Sequence, residues 1–456
     1  MPTLMLAILR NRRVQSCFLI ACACLALVSF WSLINVGGIR QPITGKFTAS
    51  QLPCRSWAGG DETLLVLRTG ATEIAERFPI HTSTTLRCFP NYVIFSDYEE
   101  TFLGERIVDA LDSVDPDLIA QNNDFDLYRR LQRDGRKGLA PSELSGVPDV
   151  EVLDGGGHSG IPGWKLDKWK FLPMVNRTLY EYPDKQWYVF IEADTAILWT
   201  TLQAYLARSD PTKPHYLGFD TYIGGECVFA HGGSGFIVSQ PALRAVVDFY
   251  SDHKTEIEVF TDTQWAGDYV LGKAFMDAGV PFTGIWPLVH GESTGHTIFA
   301  KLGSPGVLKE EMEVWCYPAA TYHHMAPAAI KSLWRFEQLW LLNRTADTEV
   351  LRHKDIFKHY VIPQMTTLRV DWDNLSETDE SDVDSIEECR AACEKEPACK
   401  QYSYDQAGLC RTRINPRLGI PTKGTRSGWI EDRVLAFERD MEPCEDEGFD
   451  TLPGIL

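Results

Sequence analysis

WYVFIEADT, residues Trp187 to Thr195, is the stretch whose reading decides the fold. An apolar run stops abruptly at two acids, Glu192 and Asp194, that flank the small Ala193. Such a run predicts a short interior β-strand, and a period of two sends both carboxylates to the same side. Hard oxygen ligands at a strand end suit Mg²⁺ or Mn²⁺, and a divalent cation can in turn hold a diphosphate. The expectation is therefore a nucleotide or nucleotide-sugar site. Its rival is an ordinary strand-end cap.

Outward from this strand, apolar strands at Thr63 to Leu67 and Asn91 to Phe95 alternate with helical stretches at Ile74 to Arg77 and Glu99 to Arg133. That alternation predicts an α/β domain. Asp134 to Gly163 is rich in Gly and Pro, lacks periodicity and reads as a long loop. In GWKLDKWKFLPMV, from Gly163, Lys168 and Lys170 lie between near-helically spaced apolar residues. They face either a diphosphate or solvent. Beyond the acidic strand come a helix (Thr200 to Arg208), a strand (His215 to Phe219) and HGGSGF. There Gly232, Gly233 and Gly235 allow the backbone to approach a phosphate or sugar oxygen, or simply to turn. A helix at Pro241 to Asp252 leads to QWAGDYVLGKAFMDAG, which carries Asp268 at a helix start, and the strand-like VPFTGIWPLVH ends at His290.

The N-terminus sets the expected compartment. Arg10, Arg12 and Arg13 precede a stretch from Val14 to Ile39 without a charge, long enough for a bilayer, which needs roughly 20 apolar residues. The expectation is a cytosolic tail at 1–13, a signal anchor at 14–36 and a stem at 37–60, with the rest lumenal, as in a single-pass type II Golgi protein. A cleaved signal peptide is the alternative. Nine of the 12 cysteines lie beyond the span, so at least one remains outside intrachain disulfides or links two copies as a homodimer. Sequons at Asn176, Asn343 and Asn374 fit the secretory route. A net charge of −19 argues against a nucleic-acid partner, which selects basic faces. Thirteen Trp and sixteen Tyr offer rings for sugar stacking, or a core.

Past about Val370 the chain turns acidic and then cysteine-dense. Cys389 and Cys393 are four apart on SIEECRAACEKE and share one helix face, with Cys399 and Cys410 following. Two bridges, most simply Cys389 to Cys410 and Cys393 to Cys399, would staple that helix to two strands. Four cysteines allow three pairings, and zinc is a rival.

Taken in order, these motifs resemble glycosyltransferase family 31, the group of the fringe proteins and the core 1 β1,3-galactosyltransferases, over roughly Leu64 to Met325. WYVFIEADT is similar to the family's strand ending in D-D-D-T, GGSGF to its G-G-A-G-[YF] loop, GDYVLG to its E-D-V-x-[ILV]-G helix start and PLVHG to the P-L-F-H run of fringe. The chain departs from the pattern at Glu192, Ala193 and Gly267. The cysteine-dense end resembles a PAN/Apple domain, a small module that binds proteins or carbohydrates.

The resemblance implies a GT-A-type α/β domain with a mixed sheet at 61–360 and a small disulfide-rich α+β module at 365–450. It implies inverting transfer from a UDP-sugar, with galactose first, to a glycan or glycoprotein acceptor, forming a β1,3-type linkage. Asp194 and His290 would bind Mn²⁺ (or Mg²⁺), with Glu192 beside them and His323, in TYHHMAP, as the reserve ligand. Asp268 would be the general base, and Lys168, Lys170, Gly232, Gly233 and Gly235 would line the donor. The altered acids leave a second expectation, a catalytically inactive, membrane-anchored carbohydrate- or protein-binding protein.

Overall fold

A computed structural model describes residues 54, 59–145, 162–224, 227–300, 314–342, 350–441, 444 and 449. The tail, the anchor and most of the stem lie outside the described residues, as does Asn343. No helix among the described residues is long and apolar enough to cross a membrane.

WYVFIE forms the centre of an eight-stranded mixed sheet. In chain order its strands are β1 (Thr63–Arg68), β2 (Tyr92–Ser96), β3 (Glu100–Phe102), β4 (Glu105–Asp109), β5 (Trp187–Glu192), β7 (Tyr216–Gly218), β10 (Phe236–Ser239) and β11 (Phe282–Gly284). β6 (Ala196–Ile197), β12 (Val289–His290) and β13 (Thr321–Tyr322) make a small second sheet, and β8 (Asp220–Ile223) pairs with β9 (Cys227–Ala230) as a hairpin. Spatial order in the large sheet is β11-β7-β10-β5-β1-β2-β4-β3. β1 runs parallel to both β2 and β5, while β10 is antiparallel to β5 and β7. The chain thus leaves β1 to one side for β2 and returns to its other side as β5. The crevice between β1 and β5 at their carboxyl ends, where Arg68 is registered opposite Glu192, is the switch point at which open α/β sheets take their ligands.

Five strand residues in succession, Trp187 to Ile191, are buried, because both faces of the sheet are covered. The longer helices of this body are α1 (Asp126–Asp134), α2 (Pro162–Glu181), α3 (Trp199–Leu206), α4 (Gln240–Asp252), α5 (Lys254–Thr263), α6 (Gly267–Asp277) and α7 (Pro327–Leu342). Phe171 and Val175 of α2, Leu243 and Val246 of α4 and Leu271 and Phe275 of α6 form one core with Val66, Tyr188 and Phe190 of the sheet. α2 and α6 approach so closely that a Cβ on Gly267 would lie 2.6 Å from Cα of Lys168 and 2.4 Å from the Phe171 ring. A side chain at Gly267 therefore has no room.

One expectation fails. The helix read from Glu99 onward begins instead as the β3–β4 hairpin, turned by Leu103 at φ 54° and Gly104 at φ 89°. Two successive left-handed residues are what a tight hairpin of this hand needs, and Leu-Gly is a poor advertisement of it.

Residues from Arg369 onward form a second, antiparallel sheet of β14 (Arg369–Asp373), β15 (Thr378–Glu380), β16 (Gln401–Tyr404), β17 (Cys410–Arg413) and β18 (Ile420–Trp429), ordered β14-β18-β16-β17-β15. Helices α8 (Ile386–Lys395) and α9 (Glu431–Asp440) accompany it. The mixed α/β body and this region belong to one compact unit, Lys46–Leu456.

Candidate functional site

The turn after β5 is locked by Thr195, whose N–H donates to Glu192 O at 3.0 Å and whose hydroxyl donates to Gly233 O at 2.8 Å. Asp194 projects from this turn towards β13. Its Oδ1 lies 3.3 Å from His323 Nε2, its Oδ2 accepts from Arg77 Nη1 at 3.0 Å, and Nδ1 of His324 is 4.0 Å away. Asp194, His323 and His324 each offer one ligand atom within 4.8 Å of the others. Asp194 Oδ1 and His323 Nδ1 are buried without a hydrogen-bond partner.

His290, expected as the first-choice ligand, does not join this set. β12 and β13 are parallel with His290 registered beside Tyr322, so His323, one residue on, takes the opposite face. His290 is instead packed with Trp286, Tyr322 and His353, and its Nδ1 accepts from the Glu292 N–H at 3.0 Å. The reserve residue His323 occupies the place at Asp194.

Glu192 is engaged by a partner of its own. Arg68, only 6% exposed, is clamped between Glu192 and Asp167 and lies over the Phe171 ring. Lys170 is equally buried, donating to Thr69 O at 3.1 Å beside Asp97 at 3.2 Å. Lys168 pairs with Asp124 at 2.9 Å and caps the α5 end through Asp262 O and Gln264 O. Both lysines are thus committed to carboxylates and carbonyls, not to a diphosphate.

The glycine loop is the hub of the site. Gly232 N–H donates to Asp268 Oδ2 at 2.9 Å, and a Cβ on Gly232 would meet Glu192 Oε1 at 3.3 Å. A Cβ on Gly233 would lie 2.2 Å from the His323 ring, and Gly235 holds φ +87°. The missing side chains make room for Glu192, His323 and Asp268 to converge. Asp268 is oriented a second time by the Tyr269 N–H, which donates to its Oδ1 at 2.9 Å.

Burial and charge set the protonation states. Burial disfavours the Asp194 anion, but His323 and Arg77 outweigh it and hold the carboxyl below the ordinary range. Burial pushes His323 down, but Asp194, with Glu192 and Glu292, raises it on balance. Burial lifts Glu192 to about 7, only partly countered by Arg68. It also raises Asp268 against the opposing pull of the Gly232 N–H and Arg68. His324 drops to about 4 through burial and the neighbouring His323.

The donor set fits a divalent cation that accepts nitrogen ligands, since two imidazoles accompany one carboxylate and two of the buried donor atoms are unsatisfied. Arg68, Arg77 and Asp167 escaped the sequence reading. The signal for Arg68 was a charged residue closing the wholly apolar run of β1.

In the C-terminal region, Cys389 and Cys393 on α8 bridge to Cys410 on β17 and to Cys399 just before β16, the pairing judged simplest from the sequence. Tyr402 packs against both bridges. Residues 367–414 match the family model of the PAN domain. The PAN module extends past the matched residues, because β18 inserts between β14 and β16 and the sheet cannot close without it. Asn374 lies inside the module at 0% exposure. Its Nδ2 donates to Tyr402 O and Gly428 O, and its Oδ1 accepts from Ser376. That burial corrects the sequon reading, since a folded PAN module presents no Asn374 amide for a glycan. Asn176, on α2, is half-buried. Two bridges were not foreseen: Cys54–Cys88, and Cys316–Cys444, which joins the α/β body to the end of the PAN module. Cys227 takes part in none of the four disulfides and is 7% exposed.

Proposed function

We propose that the chain is a lumenal, GT-A-type glycosyltransferase of family 31 that transfers a sugar from a UDP-sugar to a glycan or glycoprotein, with inversion to a β linkage. The observation that carries this reading is the convergence of Asp194, His323, Glu192 and Asp268 on one glycine loop at the carboxyl end of β5, beside the switch point between β1 and β5.

Asp194 and His323, with His324 at the rim, would hold Mn²⁺, and the bound ion supplies charge neutralisation for a departing diphosphate. Asp194 stays ionised at neutral pH because His323 and Arg77 stabilise its anion. Asp268 is the base. Two backbone N–H groups fix its carboxylate, and burial raises its basicity toward the working pH. The acceptor hydroxyl gives its proton to Asp268 as its oxygen bonds the anomeric carbon, and the bond from that carbon to the diphosphate breaks on the opposite face, releasing UDP. Arg68 keeps Glu192 oriented at the floor of the site.

The test is the melting temperature of the chain with a panel of UDP-sugars, with and without Mn²⁺. A ligand at about 100 times its dissociation constant adds roughly 2.7 kcal/mol. A shift requiring both one UDP-sugar and the metal supports the reading and names the donor. No shift with any donor favours the second reading, a membrane-anchored carbohydrate- or protein-binding protein. The Arg68–Glu192 and Arg77–Asp194 pairs, which already neutralise both acids, and the PAN module speak for it.

A further inference from the structure

The loop that follows His290 belongs to two parts of the molecule at once. Gly419, in the turn leading into β18 of the PAN module, donates its N–H to Gly295 O at 2.9 Å. A Cβ on Gly295 would lie 2.3 Å from Gly419 O, so two backbones meet with no side chain between them. Gly419 is fixed from its own side: it holds φ +82°, and a Cβ there would fall 1.9 Å from Asp373 O. The loop around Gly295 is rigid, since Ser293 O accepts from the N–H groups of His296 and Thr297 at 3.0 Å and Ser293 Oγ bonds His296 Nδ1 at 2.8 Å. One residue before that turn, Glu292 O accepts the backbone N–H of His323 at 3.2 Å. Thr294 touches Met325, whose N–H donates to Asp194 O at 2.9 Å.

A second tie runs in parallel. The Cys316–Cys444 bridge anchors the chain after α9 to the segment entering β13, five residues before Thr321. α9 also docks on the α/β body through Glu438, paired with Lys358 at 2.8 Å, and Phe437, whose ring lies 5.9 Å from that of Phe357.

From these contacts we infer that the PAN module is a positioning part of the metal site, its Gly419 turn bracing residues 291–297 and, through Glu292 O, the ligand His323. The inference rests on the reading of Asp194 and His323 as a metal site. It assigns Gly295 and Gly419 as positioning residues, and it makes the PAN module more than an independently tethered binding unit.

The experiment titrates the full-length chain in detergent with Mn²⁺ alone, following free Mn²⁺ by electron paramagnetic resonance, and with Co²⁺, whose visible spectrum reports imidazole ligation. Gly295→Ala is compared with Gly408→Ala, a PAN glycine at φ +80° whose Cβ would meet only Tyr404 Oη at 3.5 Å. Disturbing groups that orient a ligand typically weakens metal affinity about 10- to 100-fold. Gly295→Ala is expected to lose at least tenfold in Mn²⁺ affinity and to change the Co²⁺ spectrum, while Gly408→Ala keeps both. A folded Gly295→Ala chain with wild-type affinity and spectrum overturns the inference. If that variant does not fold, the Cys316→Ser/Cys444→Ser pair decides in its place: a loss of at least tenfold supports the brace and unchanged affinity overturns it. A wild-type chain that binds neither ion removes the metal reading itself, an outcome distinct from a bound ion indifferent to Gly295.

Discussion

Replacing Gly233 by alanine puts a methyl carbon 2.2 Å from Cε1 and Nε2 of His323, where ordinary contact begins at 3.4 Å. The imidazole must retreat by more than about 1 Å to relieve a clash of that depth. It has little room, being 5% exposed, stacked on His324 with ring centroids at 3.8 Å and packed edge-on against His231 at 5.3 Å. Any such retreat breaks the 3.3 Å approach to Asp194. Overpacking of this kind costs roughly 1–3 kcal/mol of stability, and displacing one ligand lowers metal affinity at least tenfold, on the order of other perturbed ligand shells. The assay is calorimetric titration of UDP with and without Mn²⁺, beside thermal melting. Gly279→Ala is the control: its φ of +77° strains any side chain, and nothing lies within 4 Å of its Cβ. That variant loses about 1–2 kcal/mol with UDP binding unchanged. If Gly233→Ala melts early yet binds UDP with wild-type Mn²⁺ dependence, His323 is not a ligand and the convergence on the glycine loop has no role in binding.

Three further outcomes follow from single contacts. Asp268→Asn keeps one acceptor oxygen for the Gly232 and Tyr269 N–H groups, loses the other and cannot take a proton, so turnover falls at least about 10²- to 10⁴-fold while UDP affinity is retained; sugar transfer at the wild-type rate would remove Asp268 from the base role. Glu337, fully buried and bonded to Thr200, is lifted by burial from 4.5 to about 7. Its folded pKa lies above its unfolded one, so the fold favours the protonated acid and stability is lost as pH rises from about 4.5 to about 7, by roughly 3 kcal/mol. Glu337→Gln should flatten that part of the melting-temperature profile, and identical slopes in the two proteins would contradict the assignment. Asn374→Ala removes two donated hydrogen bonds inside the PAN module, a loss of about 1–3 kcal/mol by chemical denaturation. Mass spectrometry of the secreted chain should find Asn374 without a glycan.

Local pattern made several features legible. The apolar run Trp187 to Ile191 ending in acids marked the central strand because burial on both faces leaves no alternation to mistake for a helix. The i, i+4 spacing of Cys389 and Cys393 placed both on one helix face, from which each reaches its own partner. Glycines in HGGSGF signalled close approach, but the signal does not say what approaches. The structure brings Glu192, His323 and Asp268 against this loop.

The sequence by itself determined the α/β alternation, the strand that carries Asp194, the helix start that carries Asp268 and the stapled helix of the C-terminal module, since each depends on residues within one or two turns of chain. Only the tertiary structure decided which histidine meets Asp194. Nothing local in PLVHG or TYHHMAP separates His290 from His323, and the choice rests on the register of β12 against β13, a long-range pairing that sets His290 beside Tyr322 and leaves His323, one residue on, for the opposite face. Tertiary structure likewise consumed Lys168 and Lys170 in ion pairs with Asp124 and Asp97, buried Asn374 under β18, and brought Gly419 against Gly295. Each of these joins residues at least 28 positions apart, where no spacing rule reaches and only the closing of the core fixes the contact.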